Sequence, residues 1–523
     1  MKEHVLAIVG LGVAAIPIIE KAKEMKLKTV GFGEADSMYK NDVDVFVKKS
    51  IFDVDGMYEA CIANNVTGVI ASSEITTEPT ALLADKLQLP GNSVKEGFFA
   101  RNKYLMRQRV RNLNNVRQPK YHLYEDGEKV EFPVVVKAVD SCGKQGISLA
   151  KNEAELIEAI KEARKYSSNS TALIEEYIAG GKEYSVECLA CNGKCTVVQV
   201  TDKDSSGPPH FAETGHHQPA NISGQMREKI ESAAGSILGV LGINCGMAHL
   251  EIKIRNGEIY FIEVGARGGG SHIADTLTIL STDCDYYKAA IECSLGTYVP
   301  KAIHNIAYSG LYFHIRQNEA LDGVFKLAKN ADWVYENTVA TDDYPDAVFF
   351  LDRMKAGYVI YKSDHKICMS DILSKKNLEA ECINEYPNAF ELIWKHNKEI
   401  GRELSDEDLE VGINKFLNKG NVISILDDNH IVAFLMLYCN NYETLGAYIC
   451  NVYVLDKYRG CNLSKKLMDK AIAICKEKNF KKINLHVDRD NDVAISLYEK
   501  YGFSFTGEVN QQNKDSLEME LKI

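Results

Sequence analysis

Residues 249–272, HLEIKIRNGEIYFIEVGARGGGSH, constrain the fold of this chain more than any other stretch. Leu250, Ile252 and Ile254 alternate with polar residues along one segment, and Tyr260, Ile262 and Val264 do so along the next. Between them, Asn256-Gly257 is a strong hairpin signal. A two-residue loop with regular pairing would set Glu251 opposite Ile262 and put Glu251 and Glu263 on different faces. A longer loop, or a bulge, pairs Glu251 with Glu263 and gathers the apolar residues on the other face. Burial of that apolar face decides the register, because a one-residue slip would turn it out to water. The expectation is a hairpin with a dry face and a carboxylate face. Like charges directly opposed are destabilising, so the carboxylate face calls for a cation, and magnesium is the candidate.

At 523 residues the chain is too long for one core, and roughly two to four domains are expected. A formal charge of −12 argues against non-specific binding to nucleic acid or to an anionic membrane. The 14 cysteines are scattered through a long chain, which fits reduced thiols in a cytoplasm better than a disulfide framework. Cys188-x-x-Cys191 with Cys195 falls in a stretch that reads as a hairpin turning at Asn192-Gly193. Positions three apart on a strand face opposite ways, so Cys188 and Cys191 are expected to diverge, and the cysteines to fill space rather than hold a metal. The apolar run VLAIVGLGVAAIPII is divided by Gly10, Gly12 and Pro17, with no clear cleavage site after it. It reads as strand, turn and helix, and no other run approaches a membrane span.

Residues 1–92 alternate short strands (5–9, 28–31, 68–71) with helical stretches, as a small parallel α/β domain does. Gly10-x-Gly12-x-x-Ala15, with Glu34 and Asp36 farther on, imitates a dinucleotide fingerprint, but tight strand-to-helix turns use glycine anyway. Residues 93–385 read as α+β, with strands beyond residue 300. Residues 388–523 read as two amphipathic helices (388–418), strands at 421–426, 431–439 and 446–455, a helix from 462 and a last β-α-β stretch. The class is thus α/β and α+β, multidomain.

Phosphoryl chemistry needs cations around phosphates and a loop able to approach them closely. Lys137 closes the apolar run PVVVKA, and Ser141-Cys-Gly-Lys-Gln-Gly146 follows as a flexible loop with donors for a phosphate. LIEEYIAGGKEYSVE then offers strand backbone to a base edge and the carboxylate of Glu183 to ribose hydroxyls. With RNKYLMRQ, HFAETGHHQPA and the opening hairpin, these stretches stand in an order that resembles the ATP-grasp superfamily over residues 1–385.

The resemblance implies an N-terminal parallel domain followed by ATP-binding subdomains. It implies that Lys103 and Lys137 contact ATP phosphates, with Lys144 at a cofactor-binding position in the phosphate loop, that Glu176, Tyr177 and Ile178 form the adenine hinge, and that Glu183 holds the ribose. Glu251 and Glu263 match the magnesium ligands, and magnesium needs few protein ligands beside substrate phosphates. HFAETGHH and IEVGARGGG look most like L-amino-acid ligases and related carboxylate–amine ligases. There Glu213, His216 and Arg267 would contact substrate and the transferred phosphate, and the triple glycine would present backbone amides to an anion. Gly265 stands where many members carry a metal-binding asparagine, and Lys144 where serine is common.

ICNVYVLDKYRGCNLSKKLMDKAIAI is a strand, a turn and a helix start, and a helix start is a ready anion site. With LHVDRDNDVAISLYEKYGF it resembles the GNAT acetyltransferases over residues 388–523. That resemblance implies an acetyl-CoA site built from the loop Arg459, Gly460, Asn462 and Ser464 and from the backbone of Val452, Tyr453 and Val454. It also implies Tyr498 as the acid protonating the leaving thiolate, with Asn491 before its helix. Asn462 and Ser464 stand where small residues are usual. No base stands out in the sequence.

The combined expectation is a cytoplasmic, bifunctional enzyme using ATP, Mg2+ and acetyl-CoA. It would join a small-molecule carboxylate to an amine through an acyl-phosphate, with an acetyltransferase attached, and it could form a homo-oligomer. The alternatives are a bicarbonate-activating, carboxylase-like enzyme and a nucleotide-sensing module with a degenerate acetyltransferase domain.

Overall fold

The computed structural model describes the chain apart from residues 1–3, 95–100, 142, 208–210, 342, 348–349, 368–377, 400–404, 428, 456–457, 459–462, 490 and 510–515. Arg459, Gly460 and Asn462 therefore lie outside the described residues, as does Cys142 in the loop after Lys137. The chain divides into two compact units, Met1–Lys366 and Ile367–Ile523.

The first unit begins with a parallel sheet of order β3-β2-β1-β4, formed by β1 (Val5–Val9), β2 (Lys28–Gly33), β3 (Val45–Lys48) and β4 (Gly68–Ala71). β1 is buried along its whole length, and helix Ile16–Glu24 follows it with Pro17 in its first turn. Gly10 makes the turn at φ +86°, where a Cβ would stand 2.8 Å from Ser72 Oγ and from Thr76 Cγ2. The N-terminal apolar run is thus strand, turn and helix. Among the described residues no helix is long and apolar enough to cross a membrane.

A second sheet, of order β5-β8-β6-β7, comprises β5 (Tyr121–Leu123), β6 (Val134–Ala138), β7 (Ile147–Ala150) and β8 (Ala172–Glu176), and packs on helix Glu153–Tyr166. The third has eight strands: β9 (Lys182–Cys191), β10 (Lys194–Ser205), β11 (Glu213–Gln218), β12 (Cys245–Arg255), β13 (Glu258–Gly265), β14 (Tyr308–Phe313), β15 (Val334–Asn337) and β16 (Tyr358–Ser363). Their order is β13-β12-β9-β10-β11-β14-β16-β15. Leu250, Ile252, Val186 and Val200 pack from one face onto Ile230, Ala234 and Ile237 of helix Gly224–Val240.

The hairpin β12–β13 turns at Asn256-Gly257, with Arg255 opposite Glu258, and Glu251 does face Glu263. The device is a bulge, not a longer loop: Ile262 has no partner, because Ile252 already faces Phe261. The apolar face of β13 therefore carries Ile259, Phe261 and Val264, while Tyr260 and Ile262, expected there, are half-buried on the other. Cys188 packs with helix Gly224–Val240 and Cys191 with helix Tyr286–Ser294, so the two thiols diverge. The cysteines that are described are free thiols.

The second unit is one sheet of order β17-β18-β19-β20-β21-β23-β22, from β17 (Ala380–Cys382), β18 (Asn421–Asp427), β19 (His430–Asn441), β20 (Gly446–Val454), β21 (Lys482–Asp488), β22 (Ser504–Val509) and β23 (Ser516–Lys522). Helix Leu463–Glu477 covers one face, and helices Ala389–Glu399 and Asp406–Lys419 cover part of the other. The boundary expected between 385 and 388 shifts: β17 pairs with β18, so residues near 380 belong with this sheet. Leu378 and Ile383, on either side of β17, are buried in its two cores.

A fragment of residues 367–523 is expected to melt cooperatively on its own, since its two cores draw only on its own residues. A fragment of residues 388–523 lacks Leu378 and Ile383, and losing buried side chains of this size costs roughly 2–5 kcal/mol each. Denaturant melts of both fragments measure this; equal stabilities would refute the assignment of β17.

Candidate active site

The face of the eight-stranded sheet turned away from helix Gly224–Val240 is polar. Opposed along it are Glu183 and Lys253, Ser185 and Glu251, and Glu187 and His249, with Lys203 on the neighbouring strand β10. A second bulge, at Thr214, brings Glu213 onto the same side as His216, which a regular strand would separate. Glu213 Oε2 lies 3.6 Å from His216 Nε2.

Lys203 stands between the two acidic strands. Its Nζ is 2.9 Å from Glu213 Oε1 and 2.6 Å from Glu251 Oε1. Arg353 donates to Glu213 Oε2 at 2.9 Å, and Lys144 Nζ lies 3.6 Å from Oε1. Burial works against both carboxylates, but the adjacent Lys203 holds each well below the usual range. Burial also pushes His216 down, against the pull of Glu213. Glu263 Oε2 lies 3.6 Å from Lys103 Nζ.

Among the described residues no group of three or more His, Cys, Asp or Glu is arranged to hold a metal ion. A cage made of protein alone is therefore absent there. The opposed pair Glu251 and Glu263 fits a hard cation that takes its other oxygens from phosphates and water, as magnesium does.

Lys103 opens helix Lys103–Val110, which Asn102 caps by accepting from the Leu105 N–H. One turn on, Arg107 Nε donates to Glu175 Oε1 at 2.7 Å, and Lys137 Nζ is 2.8 Å from Oε2. Burial would raise the Glu175 carboxyl, but Arg107 and Lys137 bring it down to about 2. Glu175 directly precedes the expected hinge. Glu176 is exposed at the strand end and exchanges backbone and side-chain hydrogen bonds with Lys120, while Ile178 is buried. The Tyr177 ring lies 6.1 Å from that of Phe211, whose carbonyl accepts from Lys144 Nζ at 2.8 Å. Lys144 therefore reaches across to the segment before Glu213.

Arg267 is engaged by the protein itself. One Nη donates to Glu74 Oε2 of the N-terminal domain at 3.0 Å and the other to the Gly268 carbonyl at 2.9 Å. One amide of the triple glycine is engaged by the protein as well. The Gly269 N–H is given to Glu187 Oε2 at 3.0 Å rather than held for an anion, and Glu187 Oε1 also bonds His249 Nδ1. A Cβ at Gly269 would stand 2.6 Å from Glu187 and 2.7 Å from His249, so close packing on a buried ion pair explains this glycine. Burial would lower His249, but Glu187 raises it to about 9.

In the second unit β20 pairs in parallel with β21 only from Gly446↔Lys482 to Ile449↔Leu485. Cys450 is bulged against β19, and Val452, Tyr453 and Val454 continue along β19 alone. One edge of β20 thus opens into a wedge beside β21. Tyr498, on helix Asp492–Lys500, is buried against Phe503, and burial pushes its hydroxyl up to about 12. Asn491 caps that helix by accepting from the Ala494 N–H at 3.1 Å. Ser464 lies in the first turn of helix Leu463–Glu477.

Comparison with known proteins matches residues 130–275 to the ATP-grasp domain and residues 386–503 to the acetyltransferase (GNAT) family. The chain carries an ATP-grasp domain and a GNAT domain. The curated dapdiamide A synthase of Enterobacter agglomerans is 27% identical over 237 residues, 41% of this chain and 55% of that protein. The large chain of carbamoyl phosphate synthase from Thermus thermophilus is 29% identical over 144 residues, 27% of this chain and 14% of that one. The chain thus spans about half of the first relative's length and less of the second's. The L-amino acid ligase of Bacillus licheniformis has a similar fold, with a TM-score of 0.58 at 23% identity over 70% of this chain and 94% of that one. N5-carboxyaminoimidazole synthetase of Staphylococcus aureus, complexed with ADP, gives 0.55 at 14% over 71% and 95%.

The matched ATP-grasp segment includes Lys137, Lys144, Glu176, Tyr177, Ile178, Glu183, Glu213, His216, Glu251, Glu263 and Arg267, with Lys103 before it. Sequence reading missed the groups that hold these in place: Arg107, Glu175, Glu187, Lys203, His249 and Arg353. Glu175 stands next to Glu176, and His249 stands two residues before Glu251 on the same strand, which was a usable signal. Lys203 and Arg353 carry none, because only tertiary folding brings them to the acids.

Glu175→Gln is expected to cost about 3–5 kcal/mol, since it leaves Arg107 and Lys137 buried without their carboxylate. The folded carboxyl sits at about 2, below the ordinary value of about 4.3. Its contribution is therefore complete above about pH 4.3 and is lost as the pH falls toward 2. The gap in stability between wild type and variant should narrow over that interval in urea melts.

Proposed function

We propose that the ATP-grasp domain is an ADP-forming carboxylate–amine ligase and that the GNAT domain is an acetyl-CoA-dependent N-acetyltransferase. The observation that carries the ligase reading is the convergence of Lys103, Glu251, Glu263, Lys203, Glu213 and His216 at one polar sheet face. Similarity to a dapdiamide A synthase supports a synthase acting on small molecules.

In this reading the substrate carboxylate attacks the γ-phosphorus of ATP and ADP leaves. The amine then attacks the acyl-phosphate carbonyl, the C–O bond to phosphate breaks, and the departing phosphate carries off the nitrogen's proton as the amide forms. Lys103, Lys137 and Lys144 supply positive charge along the phosphates, and the hinge and Glu183 hold adenine and ribose. Glu251 and Glu263 would hold Mg2+, which when bound supplies positive charge that offsets the phosphate oxygens. Two cations already meet Glu251 at Oε1, Lys203 and the His249 ring, which steadies the carboxylate and leaves Oε2 for a cation. Arg267 would exchange Glu74 for the transferred phosphate, gripping it with two donors. In the GNAT domain Tyr498 keeps its proton at neutral pH, as a donor to a leaving thiolate must. One small amine could be both acetylated and joined through an amide.

The test is ADP release from ATP across amino acids and sugar acids, with and without acetyl-CoA. ADP release that requires bicarbonate instead would support a carboxylase-like enzyme. ATP binding without ADP release under every condition would support a nucleotide-sensing module. Glu263→Gln should abolish turnover with the fold intact; near-normal ADP formation at limiting magnesium would refute its metal role.

Arg267→Lys separates two roles. A phosphate-gripping arginine should retain ATP affinity but lose roughly 10²–10³ in single-turnover rate. An arginine serving only as the partner of Glu74 should lower the melting temperature and leave the rate unchanged.

A further inference from the structure

An ammonium nitrogen has no lone pair, so acetyl transfer to an amine requires a group that takes a proton beside the thioester. The place to look is the mouth of the wedge between β20 and β21. The last parallel pair is Ile449↔Leu485, and His486 is the next residue of β21. Tyr448, one residue before that pair on β20, has its Oη 2.8 Å from His486 Nδ1. Ile449, Leu485 and Val487 point into the core on helix Leu463–Glu477, so Tyr448 and His486 project from the opposite face. Both side chains are half-buried and remain within reach of a solute.

We infer that His486 is the general base of the GNAT domain, held by Tyr448, and that the acetyl acceptor is a primary ammonium compound. This rests on the acetyltransferase reading above. With Nδ1–H donated to Tyr448 Oη, Nε2 carries the lone pair. Nε2 takes a proton from the ammonium, and the freed nitrogen attacks the thioester carbonyl carbon. The C–N bond forms, the nitrogen gives up its second proton to water, the C–S bond breaks, and the thiolate takes the Tyr498 hydroxyl proton. The imidazolium then gives its proton to water, and Tyr498 is reprotonated from solvent.

The surroundings favour a cation. Glu518 stands directly across β23 from His486, with Oε1 accepting from Asn484 Nδ2 at 3.2 Å and Oε2 from Thr506 Oγ1 at 3.0 Å. Asp488 lies two residues along the same strand, and Cys450 and Tyr448 line the β20 side. Of the cations on this face, Lys482 is paired with Glu520 at 2.7 Å, and Lys522 stands opposite Lys482 on β23 beside the same carboxylate.

The experiment uses the full chain and two probe acceptors at neutral pH: ethylamine, which is protonated there, and hydroxylamine, which is not. Thiol release from acetyl-CoA is followed for wild type, His486→Gln and Tyr448→Phe, with acetyl-CoA affinity measured by calorimetry. His486→Gln should lose about 10²-fold or more with ethylamine, keep most of its rate with hydroxylamine, and bind acetyl-CoA as wild type does. Tyr448→Phe should show the same pattern more weakly, and the acid side of the ethylamine pH profile should change in both. Equal losses with both probes, or no loss, would overturn the assignment. So would wild-type protein that binds acetyl-CoA but acetylates neither probe. Protein that does not bind acetyl-CoA at all would instead overturn the reading on which the assignment rests.

Discussion

The ammonium of Lys203, fully buried between Glu213 and Glu251, is the interaction on which the rest of the ATP-grasp site depends. Taking any of these charges out of water alone would cost several kcal/mol. Glu213 on β11 and Glu251 on β12, with β9 and β10 between their strands, would also repel each other. One cation between them makes the pair tolerable, and Arg353 and Lys144 complete the set around Glu213. Burial and attraction oppose each other at these sites, and attraction wins: Lys203 holds both carboxyls well below their usual range. Without that, the sheet could not keep acids on one face while its other face packs on helix Gly224–Val240.

The two faces make conflicting demands on regular strands, and bulges reconcile them. At Ile262 one extra residue lets Phe261 and Val264 both reach the core while Glu263 still faces Glu251. At Thr214 another puts Glu213 beside His216. In the GNAT domain the bulge at Cys450 coincides with the point where β20 leaves β21, so the same device opens the wedge there. A bulge costs local ladder hydrogen bonds and increases twist, which suits places where side chains must be re-aimed.

The supporting ion pairs tie the ATP-grasp domain's sheets together. Arg107 joins Glu175 of β8 to the Phe261 carbonyl of β13, so the strand before the hinge and the carboxylate hairpin share one guanidinium. Glu187 takes both His249 and the Gly269 amide, which ties the glycine stretch to the strand of Glu251. Arg267 carries the linkage to the N-terminal domain through Glu74.

Much of this was legible in the sequence by itself. Apolar alternation and turn residues determined the hairpins at Asn256-Gly257 and Asn192-Gly193, the N-terminal strand-turn-helix and the strands of the second unit, because these are local properties of the backbone. The order of Lys103, Lys137, Glu251 and Glu263 along the chain was enough to expect a nucleotide site. The phase of β13 was not legible, since alternation carries no mark of where an extra residue will be accommodated; only the competition between core and site selects Ile262. The placement of β17 escaped for a related reason, as a three-residue edge strand has too little pattern to show which sheet it joins. Lys203 and Arg353 escaped most completely. A lone lysine in a strand and a lone arginine in a short helix look like solvated surface until the fold removes the water and leaves carboxylates as their partners.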